Sequence, residues 1–190
     1  MSETVAAVRV VTMIDGTHGS VSIIPASAQK VAGYVTGSGG VEWTTGDWAR
    51  FTTTAKVRVN QMPGSDPLLG DVLDVEDGAW TNEEAAQACK ERRQHGLEIN
   101  LYSSQGNLTP LLNACIAAGV TSGNLWVANW DLSEAEAAAM VVHRYGPWPI
   151  QAVQWASPTS NPNTLIPGSQ LTLAQGNCDL SVTAPGWLAG

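Results

Sequence analysis

The sequence predicts an α/β fold: a single compact (β/α)-type barrel of about eight mostly parallel strands, with some helices short or missing. Three observations predict it. Eight short runs carry the alternating or continuous apolar pattern of strands. Clear helical stretches follow the fourth, fifth and sixth of these runs, and strand–helix alternation implies parallel strands joined by right-handed crossovers. The length of 190 residues is ample for one packed core but short of the ~250 typical of such barrels, so several helices have to be abbreviated. No internal repeat, linker or composition shift divides the chain, and one barrel domain over 1–190 is expected.

Taken in order, the first strand is expected over 8–15, ending in the loop GTHGS (16–20), and the second over 31–36, closed by GSGG (37–40). Residues 43–50 have room for one brief helix. KVRVNQ (56–61) and DVLDVE (71–76) alternate with period two and read as strands three and four. Thr81 and Glu84 then form a capping box, and a polar helix runs to His95. Arg92, Arg93 and His95 crowd its last turn, where the dipole favours positive charge, and Gly96 stops it. Strand five is LEINLYS (97–103), with a helix from about Leu108 to Ala118 behind it. Strand six is expected over 124–130; Ser133 and Glu136 make a second capping box opening an Ala-rich helix that stops before Gly146. Strands seven and eight are expected over 150–156 and 178–183, separated by NPNTLIPGSQLT (161–172), an irregular loop or small hairpin.

Composition excludes several function classes. Seventeen acids against nine bases give a formal charge of −8, with 14% charged residues, so the clustered Lys and Arg that nucleic acid requires are missing. No apolar run approaches the ~18 residues of a membrane span, and the N-terminus lacks a basic n-region, so neither a membrane partner nor a classical export signal is expected. Cys89, Cys115 and Cys178 stand far apart, and His18, His95 and His143 show no ligand spacing. Buried thiols, no metal and no cofactor are therefore expected. GSGG (37–40) has neither the Lys of a phosphate loop nor the elbow of a serine hydrolase. The eight Trp against one Phe are unusual, because indole carries an N–H that seeks a partner. Trp43, Trp48, Trp80, Trp148 and Trp187 fall in or near loops and are expected to rim a cleft or meet a partner. Trp126, inside strand six, is the better core candidate.

In a parallel barrel the C-terminal strand ends line the active mouth. Asp15 ends strand one, and Asp74 and Glu76 end strand four two residues apart, which puts both carboxylates on one inward face. Two like charges there push one carboxyl upward, the condition for a general acid near neutral pH. Tyr102, Asn129, Trp130, Gln154 and Trp155 fall at the ends of strands five to seven, and Asp179 lies in the last strand. Asp77 reads as a turn residue and His18 as a loop cap. An indole face beside amides is what a sugar ring needs, with carbon on the ring and hydroxyls on Asn or Gln. Carboxylates with no metal set and no nucleophile elbow point to glycoside hydrolysis.

DVLDVEDG (71–78), LYS (101–103), LWVANW (125–130), AVQWAS (152–157) and CDLSV (178–182), with Ile14 and Asp15 before them, resemble the lysozyme-type glycoside hydrolases of family 25. These muramidases of bacteria, fungi and phages cut the glycan strand of peptidoglycan. The likeness covers roughly 8–15 and 71–183; no single piece is specific, and the series in that order is more so. It implies Glu76 as general acid, Asp15, Asp74 and Asp179 as the other cleft acids, and Tyr102, Asn129, Trp130 and Gln154 as substrate contacts. The chain departs from the family in three places. YVTGSGG (34–40) stands where strand two usually ends in a Lys-Ala-Thr-Glu-Gly-like segment. Val59, Asn60 and Gln61 replace an aromatic–His–aromatic run, and Ser181 replaces an Asn in the last motif. The resemblance implies a phage lysin released to the cell wall, or a lytic domain carried on a virion, acting on bacterial cell-wall glycan. The alternative is a non-catalytic barrel, a virion or tail component that binds host glycan or neighbouring subunits.

Overall fold

A computed structural model describes residues 9–52 and 54–189. The expected start of the first strand at Val8, and the run before it, lie outside the described residues. The elements are β1 (Val11–Gly16), β2 (Lys30–Thr36), α1 (Thr45–Ala49), β3 (Ala55–Asn60), β4 (Val72–Asp74), α2 (Asn82–Gln94), β5 (Asn100–Ser104), α3 (Leu108–Ala117), β6 (Asn124–Ala128), α4 (Glu134–Met140), β7 (Arg144–Tyr145), β8 (Trp148–Ala156), α5 (Leu173–Gly176) and β9 (Cys178–Thr183). The sheet runs β6-β5-β4-β3-β2-β1-β9-β8, and pairing of β6 with β8 closes it into an eight-stranded barrel. β7 is a short hairpin partner of β8 outside that ring.

β1 to β6 and β8 run parallel, whereas β9 is antiparallel to both its neighbours. The connection from β8 to β9 has no helix long enough to cross the barrel. The chain turns back at the end where β8 finishes, through an Ile166–Leu171 backbone bond, a Leu165–Thr172 bridge and α5. Reversal matters for the site: it sets Asp179 opposite Asp15 at the mouth, where a parallel strand would have carried it to the far end.

The helices form where their caps predict. Thr81–Glu84 and Ser133–Glu136 are both reciprocal capping boxes, and Thr44–Asp47 caps α1 in the same way. Gly96 follows α2 with φ +71°, the left-handed end that glycine adopts without strain. Leu73, Leu101, Leu125, Val127, Ile150 and Val153 face outward against α2, α3 and α4. Their neighbours at odd spacing fill the barrel: Met13, Ala32, Val57, Val72, Trp126 and Ala152.

The tryptophans differ from expectation. Trp43, Trp148 and Trp187 are buried, not on a rim; Trp80 is largely buried but borders a cleft, and Trp48 is half-buried. Trp187 closes the bottom of the barrel. Its Nε1 donates to Asn100 Oδ1 at 2.9 Å, its carbonyl accepts from the Lys30 ammonium, and that ammonium lies 5.1 Å from the ring centre. Burial without a carboxylate pulls Lys30 down to about 8. Trp126 is core as expected, and its Nε1 donates to Ser181 Oγ at 3.0 Å. Cys89, Cys115 and Cys178 are free and buried. No helix among the described residues is long and apolar enough to cross a membrane.

Candidate functional site at the barrel mouth

Glu76 sits where the chain leaves β4, on a turn clamped from both sides. Val75 N donates to Tyr102 O at 2.9 Å, Ala79 N to Glu76 O at 3.0 Å and Trp80 N to Asp74 O at 3.2 Å. Ser103 Oγ donates to Val75 O at 2.7 Å. Val75 is buried in the outer core, so the alternation turns Asp74 and Glu76 inward. Asp74 is buried, Glu76 half-buried, and the charge of each raises or crowds the other acids.

The four carboxyls form one group at the mouth. Asp15 and Asp179 are register partners on β1 and β9, close enough that each shifts the other's proton affinity. Burial and the Asp179 charge hold Asp15 well above the ordinary carboxyl range. Burial pushes Asp179 up to about 7. Asp74 also rises to about 7, from burial first and the Glu76 charge second. One Asp74 oxygen accepts from Gln61 Nε2 at 3.1 Å; the other is buried with no protein partner, which favours the protonated form. Glu76 is raised by burial first, and further by the Asp77 charge.

Gln154 ties the walls together. Its Oε1 accepts from Tyr102 at 2.7 Å and from Trp130 Nε1 at 3.2 Å, and its Nε2 donates to Asp15 at 3.2 and 3.4 Å. Beneath it lies an inner cavity of about 10 Å³ bounded by Asp15, Tyr34, Asp74, Tyr102 and Trp126, at the lower limit for one water. Above it opens a cleft of about 520 Å³ lined by Tyr34, Trp130, Asp179, Ser157, Thr159 and Ser160. A second cleft of about 600 Å³ lies beside Glu76, bounded by Asp77, Trp80, Asn82, Ser104 and Asn107. A hollow of about 740 Å³ along the outer face of α2 contains none of the four carboxyls.

Asp15, Asp74, Glu76, Asp179, Tyr102, Trp130 and Gln154 are thus brought together. Asn129 and Trp155 are not. Asn129 sits on the rim, its Nδ2 donating to Gln105 and its Oδ1 accepting from Asp131 N at 3.1 Å. Trp155 corrects the sugar-platform expectation: Gln154 points inward, so its neighbour on the strand points out and packs against the two outer cores. Gln154 itself is buried and fully engaged, which makes it a support for the walls more than a contact surface. Asp77 is an exposed turn residue, and His18 Nδ1 pairs with Asp47 Oδ2 at 2.6 Å at the cap of α1.

Two site residues escaped the sequence reading. Tyr34 lines both the inner cavity and the cleft, and burial with the surrounding carboxylates raises its hydroxyl far above the ordinary range. Gln61 holds Asp74. Both follow inward residues at period two, Tyr34 after Lys30 and Ala32, Gln61 after Val57 and Val59, and that parity was the available signal. No group of three or more His, Cys, Asp or Glu among the described residues is arranged to hold a metal ion.

Comparison of the chain with protein-family models, with curated proteins and with solved structures finds no match. A carboxyl raised by burial at the edge of a cleft can deliver a proton, and a second carboxyl at the same barrel mouth, here on the other cleft, can support a cation. An exposed indole face, a tyrosine and several hydroxyls can hold a polyhydroxylated ring.

Proposed function

We propose that the protein is a peptidoglycan-directed glycoside hydrolase of the muramidase type, a divergent relative of the family 25 lysozymes, with Glu76 as general acid. The observation that supports this best is the position of Glu76: half-buried, raised by burial, and borne on a clamped turn at the mouth beside three further carboxyls. Protonated Glu76 delivers its proton to the glycosidic oxygen as the bond to the anomeric carbon breaks. Asp179, on the other cleft at the same mouth, supports the positive charge that develops on the sugar ring until water adds at the anomeric carbon. Trp130 offers its face to the carbons of a ring, and Tyr34 with Ser157, Thr159 and Ser160 offers hydroxyl partners. Asp15 and Asp74 lie sealed below, and the Glu76 charge raises both Asp74 and Asp179. The setting we propose is a phage lysin or a lytic domain carried on a virion.

A specific observation favours a second reading, a barrel that binds host glycan or neighbouring virion subunits without turnover. Asp15 and Asp74 are closed off by Tyr102 and Gln154, and the rim at the ends of β2 and β3 lacks the family's charged and aromatic groups. Peptidoglycan suspensions separate the two readings. Wild type is expected to clear them, with a rate that falls on the alkaline side as Glu76 loses its proton, and Glu76→Gln to lose at least 100-fold. Equal rates for both proteins, or no clearing by wild type across pH and salt, contradict the enzyme reading.

A further inference from the structure

Gln154 has an asymmetric set of partners. Its amide oxygen accepts from the Tyr102 hydroxyl at 2.7 Å and the Trp130 indole at 3.2 Å, and its amide nitrogen donates to both oxygens of Asp15 at 3.2 and 3.4 Å. An indole N–H can only donate, whereas a hydroxyl donates or accepts. Trp130 is therefore the partner that compels the amide oxygen to face the rim and the amide nitrogen to face Asp15. Trp130 is also the one of the three that is exposed, at 38%, on the wall of the cleft.

We propose that Gln154 is a positioning residue that couples the Trp130 platform to the Asp15–Asp179 pair, its amide held in one orientation by the indole N–H. The groups facing the pair are Asp74 from β4, Glu76 beyond it, Tyr34 from β2, Tyr102 from β5 and the Cys178 thiol from β9. None of these supplies positive charge, so the Gln154 N–H is the contact that favours the ionised form of Asp15. If the amide turns over, its oxygen meets the Asp15 oxygens and only a protonated Asp15 satisfies it. Anything that moves the Trp130 indole thereby changes the proton affinity of the aspartyl pair, and protonation of the pair changes the indole in return. That Trp130 carries a sugar rests on the glycan reading above; the coupling through Gln154 does not.

The test is a carboxyl-carbon NMR titration of the aspartate-labelled full chain as wild type, Trp130→Phe and Gln154→Met. Phe keeps an aromatic face at an exposed position but has no N–H, which leaves Tyr102 free to accept from a turned amide. The Asp15–Asp179 pair is expected to titrate about 1 higher in pH in Trp130→Phe, and at least as far in Gln154→Met. Asp74, which is tied to Gln61 instead, moves less. A pair that titrates in Trp130→Phe as in wild type overturns the proposal. So does an equal shift of all three aspartates, the mark of general loosening. A protein that fails to clear peptidoglycan yet shows the selective shift keeps the coupling and loses only the glycan reading.

Discussion

Asp74 illustrates how a single side chain carries both cost and function. One oxygen is held by Gln61, the other is buried and unpartnered, and the carboxyl is pushed up to about 7. The folded state thus holds a proton that the unfolded chain releases near 4. Its contribution to stability is best below about 4, declines as pH rises from about 4 to about 7, and is flat above that. Asp179 adds a loss of the same sign over the same window. Wild type is expected to melt at lower temperature at pH 8 than at pH 5, and Asp74→Asn to gain on the order of 2 kcal/mol at pH 8 by removing the buried charge. Thermal melts at the two pH values check this; an Asn variant that is no more stable at pH 8 contradicts it. Ser181 makes a second case. Its hydroxyl receives the Trp126 N–H, so Ser181→Ala leaves a buried donor unpaired and is expected to cost about 1–3 kcal/mol in urea unfolding. Period-two alternation made the acids legible, because a strand end with Asp or Glu at the inward parity can be read off the chain. The partner that fills an inward position cannot be read so, and Gln61 and Tyr34 were missed for that reason.

At the scale of elements, the eight barrel strands and the capped helices follow from local pattern, since alternation and capping boxes are written in neighbouring residues. The direction of β9 does not follow, because alternation reads the same in a parallel and an antiparallel strand. The missing helix between β8 and β9 was the only trace of the reversal. Tryptophan placement failed for a related reason: an indole in a loop by sequence can still plug the layer beneath it. Trp43 does so between β2 and α1. Its Nε1 donates to Gly16 O at 2.8 Å and its ring lies 5.5 Å from Phe51 and 4.5 Å from Trp48. Gly33 exists to receive it, since a Cβ there would stand 2.3 Å from the ring. Gly33→Ala is therefore expected to destabilise by at least about 1–3 kcal/mol, because the bonded and stacked ring has no room to yield. Chemical denaturation measures it, and an Ala variant as stable as wild type means that Trp43 is not fixed as described.

For the molecule as a whole, closure of the sheet divides the interior into a plugged bottom and an acidic mouth. Trp187 and Lys30 seal the first, and Trp187→Ala is expected to cost about 3–5 kcal/mol by opening that end. Calorimetry decides this one, a loss below about 1 kcal/mol being incompatible with a plug. The mouth gathers Asp15, Asp74, Glu76 and Asp179, so part of the formal charge of −8 is concentrated at one site. The central claim is that Glu76, raised by burial at this mouth, protonates a glycosidic oxygen. Its most direct test is the release of new reducing ends from purified peptidoglycan by wild type and by folded Glu76→Gln. The account predicts reducing ends that accumulate with wild type and are reduced at least 100-fold in the variant. Equal release by the two, or none by wild type, would contradict it.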